Sequence, residues 1–104
     1  MAIVTTQIQS SGTTIYTSVG DTALTLISLC NHDIAQHLIT INIVPNGSIP
    51  GLDNVFISDI SIVPADTFIV YQGGEKIILG DGDFVSVRGD SNSVVTAIVS
   101  YLAI

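Results

Sequence analysis

His37-Leu38-Ile39-Thr40-Ile41-Asn42-Ile43-Val44 alternates apolar and polar residues from Ile39 to Ile43, and Pro45-Asn46-Gly47-Ser48 follows it at once. In an extended chain Ile39, Ile41 and Ile43 share one face, while Leu38, Thr40, Asn42 and Val44 share the other. That is the pattern of a strand buried on one side and stopped by a turn. The same alternation of strand and turn runs outward in both directions. Extended runs are predicted near 2–9, 13–18, 22–30, 55–63, 67–72, 75–79, 84–88 and 94–103. Turn clusters separate them, at Ser10-Ser11-Gly12, Val19-Gly20-Asp21, Asn31-His32-Asp33, Gly73-Gly74, Gly80-Asp81-Gly82-Asp83 and Gly89-Asp90-Ser91-Asn92. Ile, Val and Thr make up 38 of the 104 residues, which suits strands and excludes disorder. The expected fold is a single all-β domain over 1–104, an antiparallel β-sandwich or jelly roll of about eight strands. Residues 1–12 are expected to form an N-terminal arm or edge strand, and 31–37 is the one place for a short helical turn.

Two strands depart from one-sided burial. Val95, Ala97, Val99 and Tyr101 occupy one face of the last run, but Val94, Ile98, Leu102 and Ile104 occupy the other. Leu24, Leu26 and Cys30 oppose Ala23, Ile27 and Leu29 in the same way. A sandwich of this size has one interior, so a second apolar face needs a second cover. Val94, Ile98, Leu102 and Ile104 are therefore the candidate assembly interface, with a homo-oligomer expected.

Charge narrows the partners. Lys76 and Arg88 stand against nine acids, a net charge of −7, which argues against nucleic acid and against anionic membrane surfaces. No apolar run approaches the ~18–20 residues of a membrane helix. Met1-Ala2-Ile3-Val4-Thr5-Thr6 has neither the charged nor the apolar region of a secretory signal, so synthesis in the cytoplasm is expected.

Candidate chemistry is sparse. Cys30 and His32 could project to one face ~6–7 Å apart if the strand continued through them, but a packed Cys and an exposed turn His are expected. Cys30 is the one cysteine, so no internal disulfide or cysteine-based zinc site can form. His32, Asp33 and His37 have neither strand nor helix spacing for a metal. Asp81-Gly82-Asp83 and Asp90-Ser91-Asn92 resemble fragments of a calcium loop and could share an ion at one end of a sandwich. They lack the closing Glu, and solvated turn acids are expected instead. Arg88-Gly89-Asp90 matches a short adhesion tripeptide, expected here to be an exposed turn. No Gly-rich phosphate cradle precedes a helix. No catalytic residue, cofactor or metal is expected, and the protein is not expected to be an enzyme.

Several landmarks in order resemble small virion structural proteins of tailed bacteriophages. They are Ile15-Tyr16-Thr17 with Gly20-Asp21-Thr22, Leu29-Cys30-Asn31, Val44-Pro45-Asn46-Gly47 and Pro64-Ala65-Asp66-Thr67. Glu75-Lys76-Ile77-Ile78-Leu79, Gly82-Asp83-Phe84-Val85 and Val95-Thr96-Ala97-Ile98-Val99-Ser100-Tyr101 complete the series over residues 13–103. Ser48–Asn54 and the turn at 31–37 depart from the pattern. The resemblance implies a β-sandwich without catalytic residues, located in the virion after assembly in the host cytoplasm. It implies a non-enzymatic assembly role and leaves the place in the virion open; the first expectation is a capsid decoration (cement) subunit whose partners are itself and the major capsid protein. A tail, neck, fibre or baseplate part is the alternative, and a receptor- or glycan-binding module the rival class. With no Trp and only Tyr16, Tyr71, Tyr101 and three Phe, aromatic sugar platforms are few.

Overall fold

The computed structural model describes residues 2–71 and 77–104. Nine strands form: β1 (Ala2–Gln7), β2 (Thr13–Thr17), β3 (Thr22–Asn31), β4 (His37–Val44), β5 (Val55–Ile62), β6 (Thr67–Tyr71), β7 (Ile77–Leu79), β8 (Phe84–Gly89) and β9 (Val95–Ala103). All strand pairings are antiparallel. Five of them nest about the middle of the chain: β4 with β5, β3 with β6 and with β7, β2 with β8, β1 with β9. The chain is thus one long ribbon folded back on itself. Rolling it adds the pairs β3·β9 and β4·β8 and yields two sheets, β1-β9-β3-β6 with β7 also on β3, and β2-β8-β4-β5. This is the jelly-roll arrangement. The ninth strand arises because β6 lies against Ile27–Cys30 and β7 against Thr22–Leu24, so the two occupy one edge position. β1 lies at one edge of the first sheet. The expected turn at Gly73-Gly74 and the start of the run 75–79 lie outside the described residues.

The core sits between the sheets. Leu24, Ile27 and Leu29 of β3 meet Val95, Ala97 and Val99 of β9, facing Ile39 and Ile41 of β4 and Val85 and Val87 of β8. Three expectations need correction. Strict alternation sets Leu24 and Ile27 on opposite faces, yet both are fully buried. A β-bulge between Leu24 and Leu26 inserts one residue against β9 and returns the chain to the core face in phase. Thr25, the extra residue, donates its hydroxyl to Ser100 Oγ at 3.0 Å. β4 is not one-sided either: Thr40, Asn42 and Val44 are buried along with Ile39 and Ile41. β4 lies between β8 and β5, and the segment 49–54 folds over its outer face and anchors to Asn42. The helical turn also falls elsewhere. Residues 33–35 bend without forming a helix, and the short 3₁₀ turn is Leu52–Asn54.

Candidate functional site

Three surfaces carry the informative side chains. The first is the outer face of the β1-β9-β3-β6/β7 sheet. Register places Ile3 and Thr5 beside Ser100 and Ile98, those beside Leu26 and Ser28, and Ile69 and Ile78 at the far edge. None of the five strands of this sheet carries a charged residue. Ile3 is 67% exposed, Ile78 58%, Ile69 44% and Leu102 41%. Of the four predicted interface residues, Ile98 is half-buried and Leu102 and Ile104 are exposed beside this face. Val94 differs: it precedes β9 and packs against the core. Cys30 lies here too, paired in register with Thr67 and Thr96. It is half-buried on the outer face rather than packed in the core, and β3 ends before the exposed His32, so the two form no dyad.

The second cluster ties together the loops at one end. Asn31, fully buried, donates from Nδ2 to Ala35 O at 2.9 Å and Ile62 O at 2.8 Å, and its Oδ1 accepts from Asp33 N at 3.0 Å. This closes the 31–37 turn and aims Asp33 at the buried His37. His37 Nε2 lies 2.7 Å from Asp33 Oδ2, and Nδ1 lies 2.6 Å from Asp90 Oδ1. Asp90 Oδ2 also accepts from Leu38 N at 3.0 Å. A carboxylate faces each ring nitrogen, and only the imidazolium donates from both. The hydrogen bond to Asp33 raises the His37 pKa above its ordinary value, against partial desolvation. The same bond lowers Asp33. Desolvation pulls Asp90 upward, but the Leu38 N–H and His37 outweigh it, so its pKa is lowered too. The sequence singled out these residues as an unmatched metal spacing and a solvated turn acid. Tertiary structure instead joins Asp33 and His37 to Asp90 and leaves His32 exposed. Among the described residues no group of three potential ligands could hold a metal.

The acidic turns are likewise occupied by backbone. Asp81 Oδ1 accepts from Gly20 N at 2.8 Å, and Asp83 accepts from Asn46 N and Gly80 N, each at 2.8 Å. They precede β8 and Asp90 follows it, so the two turns lie at opposite ends of that strand. The tripeptide is not a turn as expected: Arg88 and Gly89 belong to β8, and Asp90 is held by His37 and Leu38 N.

The third surface is a groove on the outer face of the β2-β8-β4-β5 sheet. Thr14, Ser86 and Asn42 form one row across β2, β8 and β4, with Arg88 one row along and Phe84 on the other side. Ser11 and Gly12 form one wall of a space of about 280 Å³, and Pro50 the other. An adjoining recess of about 210 Å³ reaches Gly51, Leu52 and Val55. Asn42 fixes the wall by donating to Gly51 O at 3.0 Å and Asn54 Oδ1 at 2.7 Å. Asn54 in turn accepts from Gly51 N and donates to Ile49 O. The sequence offered no sign of this groove, because its wall is the motif-poor segment Ser48–Asn54. Family models, curated proteins and solved structures were each compared with the chain, and none matches.

Proposed function

We propose that this protein is a non-enzymatic structural subunit of a phage virion, a capsid decoration protein that self-associates and binds the outer shell. The observation that supports this reading is the outer face of the β1-β9-β3-β6/β7 sheet, which carries no charge and exposes Ile3, Ile69, Ile78 and Leu102, on a chain of net charge −7. Like charges juxtaposed across an interface are costly, so a strongly acidic protein associates best through a face that carries none. Four strand positions and the nine-residue β9 give a face of about 19 by 30 Å. That is the order of the ~800 Å² per partner in a standard interface. The remaining acidic surface suits a basic patch on the shell, with attachment weakening at high salt. An oligomer that engages several capsid sites at once releases only when all contacts open together.

Light scattering of the purified chain tests the association. The wild type is expected above the 10.9 kDa of one chain, and Ile98→Asp or Leu102→Asp is expected to give a folded monomer. Equal masses for all three would remove the interface. Particles that contain the chain test the location. Gel densitometry is expected to show a copy number comparable to the major capsid protein. Particles lacking the chain are expected to package DNA but lose it at lower temperature. Intact heads that fail to join or extend tails would instead place the protein in the tail.

A further inference from the structure

We infer that the groove over Ser86, Asn42 and Arg88 is a binding site for one carboxylate-bearing sugar unit, such as a uronic or sialic acid residue of a glycan. The inference stands on the groove alone and does not rest on the decoration reading. Its strongest support is unsatisfied hydrogen-bonding capacity. Asn42 and Ser86 are 6% and 7% exposed. Among the described residues Asn42 uses only its Nδ2, toward Gly51 and Asn54, and since no buried side-chain polar atom lacks a partner, the unpaired Asn42 Oδ1 and Ser86 Oγ both reach solvent. Both line the groove, so their remaining capacity is directed into it. Water in the open groove hydrates these atoms until a ligand's hydroxyls take its place.

Arg88 adds the charge. It lines both the groove and the adjoining recess, and among the described residues it makes no ion pair. Its planar guanidinium suits a carboxylate held by two parallel bonds. Each feature excludes a ligand class. An apolar ligand would strip water from Asn42 and Ser86 and return nothing. A polyanion such as nucleic acid meets one cation on a chain of net charge −7. A bare carboxylate satisfies Arg88 but offers Asn42 Oδ1 no donor. A sugar acid offers the anion for Arg88, hydroxyls that donate and accept for Asn42, Ser86 and Thr14, and a ring C–H face for Phe84. The volume, near the lower end of ligand pockets, fits one ring rather than a chain. Asn42 and Asn54 already hold the wall, which reduces the ordering needed on binding.

The test is an amide chemical-shift titration of the full chain with D-glucuronate and with N-acetylneuraminate. D-glucose, acetate and N-acetyl-aspartate amide serve as the separate parts of the chemistry. At least one sugar acid is expected to bind with a Kd in the millimolar range, as its size allows. Shifts are expected at Thr14, Asn42, Gly51, Ser86 and Arg88, and the three comparison compounds are expected to bind at least about tenfold more weakly. Arg88→Gln, at an exposed position, is expected to weaken binding by about 10- to 100-fold with an unchanged Tm, and Ser86→Ala by about 2- to 10-fold. Several results would overturn the inference: no shift with either sugar acid up to about 50 mM, shifts outside the groove, or binding that Arg88→Gln leaves intact. Acetate or N-acetyl-aspartate amide binding as well as the sugar acids would make the site one for simple carboxylates or acidic peptides. Glucose binding equally well would remove the role of Arg88.

Discussion

Replacing Asn31 with Ala removes one side chain but acts on the whole 31–37 turn. The amide is fully buried and makes three hydrogen bonds, to Ala35 O, Ile62 O and Asp33 N. A typical bond contributes a net ~0.5–1.5 kcal/mol, and a buried partner left unsatisfied costs ~1–3 kcal/mol. The Ile62 carbonyl bond is wholly buried, whereas Ala35 and Asp33 can recover some hydration, so a total near 3 kcal/mol is expected. A domain of this length has an unfolding entropy of roughly 0.22 kcal/mol/K, which makes ~3 kcal/mol a fall of about 14 °C in Tm. Asn31 and His37 are also linked through Asp33, which accepts from His37 and whose N–H donates to Asn31. The loss from Asn31→Ala and the loss from His37→Gln should therefore not add. Thermal and urea unfolding of the two single variants and the double variant measures this, with a coupling of about 0.5–3 kcal/mol expected. A loss under about 1 kcal/mol in Asn31→Ala, or strict additivity, would refute the claim that Asn31 positions the bridge.

Stability should also follow pH through the same cluster. His37 is raised above 6.5, so its contribution is complete below pH 6.5 and is lost as pH rises through the raised pKa. Asp33 and Asp90 are lowered from 3.8, so their contribution is present above pH 3.8 and is lost as pH falls through the lowered values. Tm is expected to be highest between these limits, and His37→Gln should flatten the decline on the alkaline side. In the core, Leu24→Ala is expected to lose about 2–5 kcal/mol by opening a cavity. Ile34→Ala, at a position 95% exposed, should stay within about 0.5 kcal/mol in the same denaturation assay. Adding Ca²⁺ or a chelator should leave Tm unchanged, because Asp81 and Asp83 already accept backbone N–H groups and a ligand that does not bind cannot shift stability. A rise of several degrees with Ca²⁺ would show that the turns open to take the ion.

Local pattern was enough for the strands, because an alternating β-branched run with a Gly or Asn turn after it has few other stable conformations. It was also enough for the inner face of β9, where Val95, Ala97 and Val99 are buried as the alternation requires. Phase was legible only until a bulge intervened. Thr25 shifts β3 by one residue, and nothing in Ala23-Leu24-Thr25-Leu26-Ile27 marks which residue is the extra one. The candidate surfaces depended on contacts distant in the chain. Asp33 and His37 lie within one turn, but Asp90 reaches them only because β8 lies beside β4. Thr14, Ser86 and Asn42 come from three strands, and the sheet register alone sets them in one row. Composition argues against a nucleic-acid surface because charge is a sum over residues, whereas a groove is an arrangement of them. Tertiary structure alone decides that arrangement, since the order of strands in a rolled ribbon is set by long-range pairing and not by local preference.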